Sequence, residues 1–382
     1  MRNFLQELSD AGRMLLKKRR CAIVAVITLA LGIGANAFAQ DARNLSAVET
    51  AKIEAAVSEW MAKHKAPALS IAIATDSRLL WAKGFGLADL EKKTPATATT
   101  VYRLASIGKS ITATAVMQLA EQGKIDLDAP VQRYCPAFPE KQLPVTSRQL
   151  LAHLGGIRHH KFSDPSNRHF DSVVESLGFF KDEPLLHEPG TKYLYSTLGY
   201  SVLGCVIEGA SGMKYPDYLR EKIFKPAGMT RTQTDDIKTN IPERARLYSK
   251  SASGDVRDAP ALDTSGRLPG GGLVSTVEDL AKFAIAIQQA KLVKPQTLEQ
   301  MWTRQKTADG KQLQSYGLGW LISDAGNGEP KRVWNDGSQA GTRTYLYLIP
   351  EKRFSIALMT NLERASCEEL VIPIVNTVLK KQ

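Results

Sequence analysis

Ser106-Ile107-Gly108-Lys109 places a hydroxyl and an amine one helical turn apart, where the sequence predicts that a helix begins. Apolar residues continue at helical spacing up to residue 120, and Gly123 ends the pattern. Residues three positions apart share a helix face, so the side chains of Ser106 and Lys109 can touch. The first turn also offers free backbone N–H groups and a dipole that favours negative charge. The stretch therefore suits a serine that loses a proton and then forms an oxyanion.

A second copy of this spacing, Ser211-Gly212-Met213-Lys214, follows the apolar run at 202–210. Gly212 is typical of the residue that ends a helix, so this copy is interpreted as a helix terminus without chemistry. Because Ser-x-x-Lys is a weak pattern alone, the interpretation of Ser106 depends on the motifs that accompany it.

Three later segments accompany Ser106 in sequence order. They are residues 189–200 (PGTKYLYSTLGY), 269–280 (PGGGLVSTVEDL) and 334–342 (WNDGSQAGT). In this order and at these separations, the chain resembles the serine β-lactamase and penicillin-binding protein superfamily, in its class C-like branch.

Two further segments narrow the resemblance. Residues 134–141 (YCPAFPEK) and 150–159 (LLAHLGGIRH) are similar to the serine β-lactamase-like proteins of animal mitochondria and of bacteria. The resemblance covers about residues 48–380. It implies a β-lactamase/DD-peptidase-like fold of the α+β class, a metal-independent hydrolase and no cofactor.

Strand-like patterns lie at both ends of the chain. Between them, residues 125–270 are rich in proline, glycine and short helical patterns. This order predicts one antiparallel sheet built from N- and C-terminal segments and flanked by helices, with a mainly helical subdomain inserted. The hydrolase domain is placed at 51–382. Its predicted strands are 68–75, 79–84, 316–322, 331–335, 342–348 and 353–359, and a last helix is predicted at about 367–380.

Residues 1–39 have the pattern of a targeting segment. The basic run Lys17-Lys18-Arg19-Arg20 precedes an apolar stretch at 21–35, and Ala37-Phe38-Ala39 offers small residues for cleavage. A cleaved signal peptide and a retained membrane anchor both fit, and residues 40–50 are predicted to be a linker. Both alternatives keep the basic flank in the cytoplasm. They predict an exported protein, in a bacterial periplasm or on the outer face of the inner membrane, with membrane association through this segment.

The formal net charge of +11 lies partly in this leader, since residues 1–39 carry six basic and two acidic side chains. The remainder has no block of like charge and no basic motif interleaved with aromatic residues. Nucleic-acid binding is therefore not expected, whereas a small-molecule or peptide substrate is. Assembly into homo-oligomers is also left open, because some members of the family that the chain resembles polymerise.

The cysteines and histidines do not indicate a metal site. No CxxC or cysteine–histidine cluster is present, and Cys205 in an apolar run is interpreted as a small core residue. His159 and His160 are adjacent and point in different directions, so they are not expected to share a metal. His153 is expected to have a hydrogen-bonded packing role. A Ser-His-Asp triad is the rival mechanism, but the chain has no nucleophile elbow.

The catalytic residues are predicted to be Ser106, Lys109 and Tyr195. Ser106 is the nucleophile, and burial of Lys109 at a helix start would lower the pKa of its amine enough for it to act as a base. By resemblance, Tyr195 is the tyrosine of the Tyr-x-Asn motif, which as a tyrosinate would take the serine proton. Taken without the resemblance, Tyr195 is better interpreted as a core aromatic residue.

Two positions depart from the family pattern. Thr197 stands in place of asparagine, and Asn335 stands in place of the basic residue of the third motif. Arg343, on the same presumed strand as this motif, is hypothesised to supply the missing positive charge. Gly337 is expected to keep the strand open to a substrate backbone. By resemblance, the N–H groups of Ser338 and Ser106 form the oxyanion hole.

These residues predict a serine hydrolase that forms an acyl-enzyme on Ser106 and cleaves amides or esters, such as peptides, D-amino-acid peptides or β-lactam-like compounds. A true β-lactamase or an esterase is the enzymatic alternative. A non-catalytic ligand-sensing or filament-forming envelope protein is the alternative of another class, favoured by the changes at Thr197 and Asn335.

Overall fold

The computed structural model describes residues 44–161 and 163–379. The predicted leader at 1–39 lies outside the described residues. The first helix, α1 (Ala47–His64), begins after Ser46, whose side chain accepts a hydrogen bond from the N–H of Glu49 while the Glu49 carboxylate accepts one from the N–H of Ser46. This capping box makes residues 47–50 helical, so the predicted linker is wrong over its last four positions.

The strands lie mostly near the two ends of the chain, as predicted. They are β1 (Ala68–Thr75), β2 (Arg78–Asp89), β3 (Thr94–Pro95), β4 (Tyr102–Arg103), β5 (Gln233–Thr234), β6 (Tyr248–Lys250), β7 (Val256–Asp258), β8 (Leu273–Ser275), β9 (Leu321–Ser323), β10 (Arg332–Gln339), β11 (Thr342–Ile349) and β12 (Phe354–Thr360).

Helices occupy most of the middle and close the chain. After α1 come α2 (Ile107–Glu121), α3 (Ser147–Leu151), α4 (Val173–Leu177), α5 (Thr197–Ser211), α6 (Tyr215–Leu219), α7 (Lys225–Ala227), α8 (Leu268–Gly271), α9 (Val277–Gln288), α10 (Pro295–Met301) and α11 (Val371–Leu379).

The main sheet of the described residues has seven strands in the order β3-β2-β1-β12-β11-β10-β9, and neighbouring strands are antiparallel. β1 and β12 come from opposite ends of the chain and lie side by side, with Leu69 opposite Thr360. The α+β prediction of a sheet shared by N- and C-terminal segments is confirmed. Small sheets β4-β8-β5 and β6-β7 accompany the helical middle.

Two predicted strands have different bounds in the structure. The strand predicted at 316–322 is wrong over most of its length, because Gly319 has a φ of 80° and turns the backbone before β9. β10 instead continues beyond 335 to Gln339, so the third motif lies on a strand.

β1 separates two hydrophobic cores. Leu69 and Ile71 point toward α1 and α11, whereas Ala72 and Ala74 belong to the core that contains α2, α5 and α9. The alternation follows the two-residue period of a strand, and the alanines allow helix α9 to pack closely on β1 and β12. Helix α2 is buried along nearly its whole length between the sheet and the helices α5 and α8. The N-terminal end of α2 is thereby fixed at the rim of the sheet.

Cys135 and Cys205 form a disulfide bond that spans 70 residues and ties the segment before α3 to helix α5. The interpretation of Cys205 as a small core residue is confirmed by its burial, but the sequence analysis did not predict its cross-link to Cys135. Cys367 is free and buried. Within the part of the chain that the structure describes, no helix combines the length and the apolar character needed to cross a membrane.

Candidate active site

Ser106 lies at a tight turn between β4 and α2. Ala105 before it has a φ of 47°, a left-handed conformation that is costly for a residue with a Cβ atom and that occurs often at functional sites. Ser106 occupies the N-cap position of α2, but its hydroxyl makes no capping hydrogen bond to the helix. The turn therefore presents the Oγ atom to other side chains.

Lys109 is one of these side chains. Its Nζ atom lies 3.1 Å from the Ser106 Oγ and donates a hydrogen bond to the Gly270 carbonyl oxygen at 2.7 Å. The residue has 0% exposure, and no carboxylate among the described residues forms an ion pair with it. Burial, aided by the positive charge of Arg267, lowers the pKa of the Lys109 amine to about 7. At neutral pH a large share of this amine is unprotonated.

Tyr195 contacts the same oxygen atom, donating a hydrogen bond from its hydroxyl to the Ser106 Oγ at 2.8 Å. Burial raises the pKa of the Tyr195 phenol well above its usual value, and the hydrogen bond to Ser106 opposes this only in part. Tyr195 is therefore a neutral donor at physiological pH. This differs from the expected tyrosinate and leaves Lys109 as the better proton acceptor.

A buried histidine supports Tyr195. The ring of His153 lies 4.3 Å from that of Tyr195, and its Nδ1 atom accepts a hydrogen bond from the Ser196 N–H at 3.1 Å. The Nε2 atom then carries the proton and faces the Tyr316 hydroxyl at 3.0 Å. Burial holds the pKa of His153 well below its usual value. The predicted hydrogen-bonded packing role of His153 is confirmed.

Asn335 lies beneath the site and is only 3% exposed. Its Nδ2 atom donates to the Ser110 Oγ at 2.9 Å and approaches the Gly319 carbonyl oxygen at 3.3 Å, while its Oδ1 atom accepts from the Asp336 N–H. The amide thus fixes the first turn of α2 against β10. Although Asn335 lines the cavity, its donor hydrogens are already used within the protein.

Gly337 is required for a reason other than the one expected from sequence. A Cβ atom at this position would lie 2.3 Å from the Leu104 carbonyl oxygen and 2.3 Å from the Thr344 Oγ1, and 3.0 Å from the Ala105 Cβ. The glycine therefore allows β10 to approach the segment that carries Ser106. The expectation that it keeps the strand open to a substrate backbone stays a prediction.

The backbone of Ser338 is oriented by the hairpin that follows it. Residues 340–341 form a two-residue turn, with Gln339 opposite Thr342. In such a hairpin the flanking pair exchanges hydrogen bonds and the next pair, Ser338 and Arg343, does not. The N–H of Ser338 therefore points outward from β11, and β9 pairs with β10 only over 332–334. This geometry suits the predicted oxyanion hole.

Arg343 does not supply the missing cation. Its guanidinium pairs with Asp336 at 2.8 Å and with Glu368 at 3.4 Å, and it is not among the residues that line the cavity. The hypothesis that Arg343 compensates for Asn335 is wrong, because two carboxylates already neutralise it.

Thr197 begins helix α5 and is almost completely buried, with its side chain against Gly270. Its N–H donates a hydrogen bond to the His159 Nδ1 at 3.2 Å. Burial and nearby positive charge lower the pKa of His159 to about 4, so the ring is neutral. Thr197 and His159 thus form one polar side of the site.

The second Ser-x-x-Lys copy lies at the far end of α5, where Gly212 ends the helix as predicted.

These residues surround a cavity of about 340 Å³. It is lined by five of the predicted site residues and by several residues that sequence reasoning missed, above all His159, Arg267 and Gln339. Arg267 lies two positions before the start of the 269–280 motif, and that position was the only available signal. The lining residues are Ser106, His159, Tyr193, Tyr195, Thr197, Arg267, Gly270, Gly271, Tyr316, Leu321, Asn335, Asp336, Ser338 and Gln339.

Among the described residues, no group of three histidine, cysteine or acidic side chains is placed to hold a metal ion. The chemistry that the arrangement itself offers is a serine hydroxyl with a base, a neutral donor and outward N–H groups around it.

Comparison with known proteins agrees with this geometry. A family model described as Beta-lactamase matches residues 53–370. The human protein "Serine beta-lactamase-like protein LACTB, mitochondrial" is 30% identical, covering 75% of this chain and 69% of its own length.

Two solved structures extend the similarity. The octameric penicillin-binding protein homologue from Pyrococcus abyssi has a TM-score of 0.76 and 29% identity, with 87% of this chain and 78% of that chain covered. The D-amino acid amidase from Ochrobactrum anthropi SV3 has a TM-score of 0.75 and 26% identity, with 87% and 99% covered. The chain belongs to the beta-lactamase family of serine hydrolases.

Proposed function

We propose that this protein hydrolyses amides and esters, in particular those of peptides and D-amino-acid peptides, through an acyl-enzyme on Ser106. The observation that carries the proposal is the convergence of the Lys109 Nζ and the Tyr195 hydroxyl on one oxygen atom, the Ser106 Oγ, at 3.1 and 2.8 Å.

Acylation begins when the Ser106 Oγ attacks the carbonyl carbon and its proton moves to the neutral amine of Lys109. The N–H groups of Ser106 and Ser338 would stabilise the resulting oxyanion. The bond to the leaving nitrogen or oxygen then breaks, and the leaving group takes a proton from the Tyr195 hydroxyl. The Lys109 ammonium, which contacts the same Ser106 Oγ as the Tyr195 hydroxyl, restores that proton.

Deacylation repeats these steps with water as the nucleophile. Lys109, neutral again, takes a proton from water as the water oxygen attacks the acyl carbon. The bond to the Ser106 Oγ breaks, and the Lys109 ammonium returns its proton to the serine oxygen, 3.1 Å away. The same groups thus serve both halves of the reaction, which needs no metal ion.

The substrate class is supported by the similarity to the D-amino acid amidase, which has the same fold and is covered over 99% of its chain. Asn335 gives no cation at the position where relatives have one, and its amide is used within the protein. We therefore do not expect β10 to bind the carboxylate of a penicillin-type β-lactam.

The test is a substrate panel with the full-length protein. It contains the D- and L-alanine 4-nitroanilides, 4-nitrophenyl acetate and nitrocefin, each measured with the native protein and with Ser106→Ala. Hydrolysis of an anilide that disappears in Ser106→Ala supports the proposal. Turnover restricted to nitrocefin or to the ester would identify a β-lactamase or an esterase. No turnover of any compound would favour the ligand-sensing or filament-forming alternative.

We also propose that the protein is exported, to a periplasm or the outer face of an inner membrane. The disulfide between Cys135 and Cys205 supports this, because disulfides persist in oxidising compartments and are rare in the cytosol. The octameric homologue from Pyrococcus abyssi supports a test for self-assembly by light scattering of the purified protein.

A further inference from the structure

Arg267 lies in the short 3₁₀ turn Ser265–Arg267, directly before α8, and lines the cavity together with Ser106. The residue is half-buried. Among the described residues, its guanidinium has neither an ion pair nor a side-chain hydrogen bond. A guanidinium stays protonated in proteins, so a full positive charge faces the cavity without a partner.

Other buried arginines of this protein are paired. Arg103 donates to Asp235 at 2.7 Å, with both side chains almost fully buried. Arg158 binds Asp164 at 2.8 Å and Glu183 at 2.6 Å. Burying a charge is costly unless it is paired, so the exception at Arg267 calls for an anion that enters the cavity.

The nearby carboxylates are already occupied. Asp164, whose charge is the main one acting on Arg267, is held by two hydrogen bonds from Arg158 at 2.8 and 3.0 Å. Asp336, the acidic residue that lines the cavity, pairs with Arg343. Neither neutralises Arg267, so the cavity retains an excess of positive charge.

We propose that Arg267 binds a carboxylate of the substrate, and that the preferred substrates are amides or esters that carry a carboxylate near the scissile bond. This rests on the proposed function of Ser106. The planar guanidinium can donate two parallel hydrogen bonds to a carboxylate, which gives both affinity and orientation. Arg267 is thus a specificity-determining residue, on the wall formed by α8 rather than on β10.

Two pairs of substrates test this, each pair differing only in charge. In the first pair the carboxylate is on the acyl group, and glutaryl 4-nitroanilide is compared with its neutral primary-amide analogue. In the second pair the carboxylate is on the leaving group, and 4-acetoxybenzoate is compared with 4-acetoxybenzamide. The readout is the ratio of kcat/KM for the charged compound to that for the neutral one, because this ratio cancels any effect of a variant that both compounds share.

We expect Arg267→Gln to lower this ratio by about 10- to 100-fold in one of the two pairs, the usual effect of losing a charged hydrogen bond. Arg267→Lys should retain part of the preference as a point charge. Arg148→Gln is the matched control, since Arg148 is a half-buried arginine that pairs with Asp128 and does not line the cavity. It should leave the ratio unchanged. Ratios that Arg267→Gln leaves unchanged in both pairs would overturn the proposal.

Labelling by a fluorophosphonate separates this outcome from failure of the proposed function. If the native protein is labelled but the ratios do not depend on Arg267, the carboxylate site is wrong and the hydrolase stands. If the native protein hydrolyses none of the four compounds, calorimetric titration with glutarate and with glutaramide decides instead. Glutarate binding that Arg267→Gln abolishes supports the site, and no binding, or binding that persists in that variant, refutes it.

Discussion

The Nζ atom of Lys109 lies 3.1 Å from the Oγ atom of Ser106 in a position without solvent exposure. An amine usually titrates well above neutral pH, but burial brings the pKa of this one to about 7. In the proposed mechanism, the loss of one proton from Lys109 lets this amine accept the Ser106 proton within the physiological range.

This relationship predicts the pH dependence of acylation. Because the pKa of Lys109 is lowered in the folded protein, the amine is protonated and inactive below pH 7 and neutral above it. We expect kcat/KM to rise with pH through an apparent pKa of about 7. Lys109→Arg, which stays charged, should lose about 1,000-fold or more in kcat/KM. A flat profile from acid to neutral pH would contradict the assignment of Lys109 as the base.

Tyr195→Phe removes the hydroxyl that donates to the Ser106 Oγ at 2.8 Å and keeps the ring against His153. We expect kcat to fall by about 100- to 10,000-fold, the range for loss of a general acid or base, with little change in stability. The matched control is Tyr345→Phe on β11, which does not line the cavity. Equal activity of the two variants would exclude Tyr195 from proton transfer.

Gly337→Ala places a methyl group 2.3 Å from the Leu104 carbonyl oxygen, in the segment that carries Ser106. We expect the free energy of unfolding to fall by about 1–3 kcal/mol and activity to fall with it, because β10 must move away from Ser106. Denaturant unfolding and kcat/KM measure both. Gly326→Ala is the control, since a Cβ there has no neighbour within 4 Å. A stable, fully active Gly337→Ala would refute the close approach.

The disulfide predicts a redox-dependent stability. Removing a cross-link that closes a loop of 70 residues should cost about 4 kcal/mol on chain-entropy grounds. We expect the double variant Cys135→Ala/Cys205→Ala to melt at a lower temperature than the native protein. Reductant should lower the melting temperature of the native protein only. Alkylation of Cys135 in unreduced, denatured protein would show that the bond is absent.

The sequence was sufficient for features that depend on local spacing or on patterns at the chain ends. The three-residue separation of Ser106 and Lys109 on a helix was enough to predict that they meet, and the short apolar run at 68–75 was enough to predict a strand. The helix end at Gly212 also followed from local chemistry, since a glycine there adopts a φ of 71°.

Features that depend on distant contacts could not be predicted in this way. Cys135 and Cys205 are 70 positions apart, and nothing local indicates that their sulfur atoms meet. The hypothesis for Arg343 failed because the structure pairs it with Asp336 on the neighbouring strand and with Glu368, which lies 25 positions away on another element. Arg267 was missed for the opposite reason: its importance is the lack of a partner, which only the packed structure reveals.

Intact-mass analysis after fluorophosphonate treatment tests the central claim most directly, with the native protein, Ser106→Ala and Ser211→Ala compared. Ser211 is the control because it begins the second Ser-x-x-Lys copy, at the end of α5, where its hydroxyl donates to the Ile207 carbonyl oxygen. We predict a single adduct on the native protein and on Ser211→Ala, and none on Ser106→Ala. An adduct that persists in Ser106→Ala would contradict the assignment of Ser106 as the nucleophile.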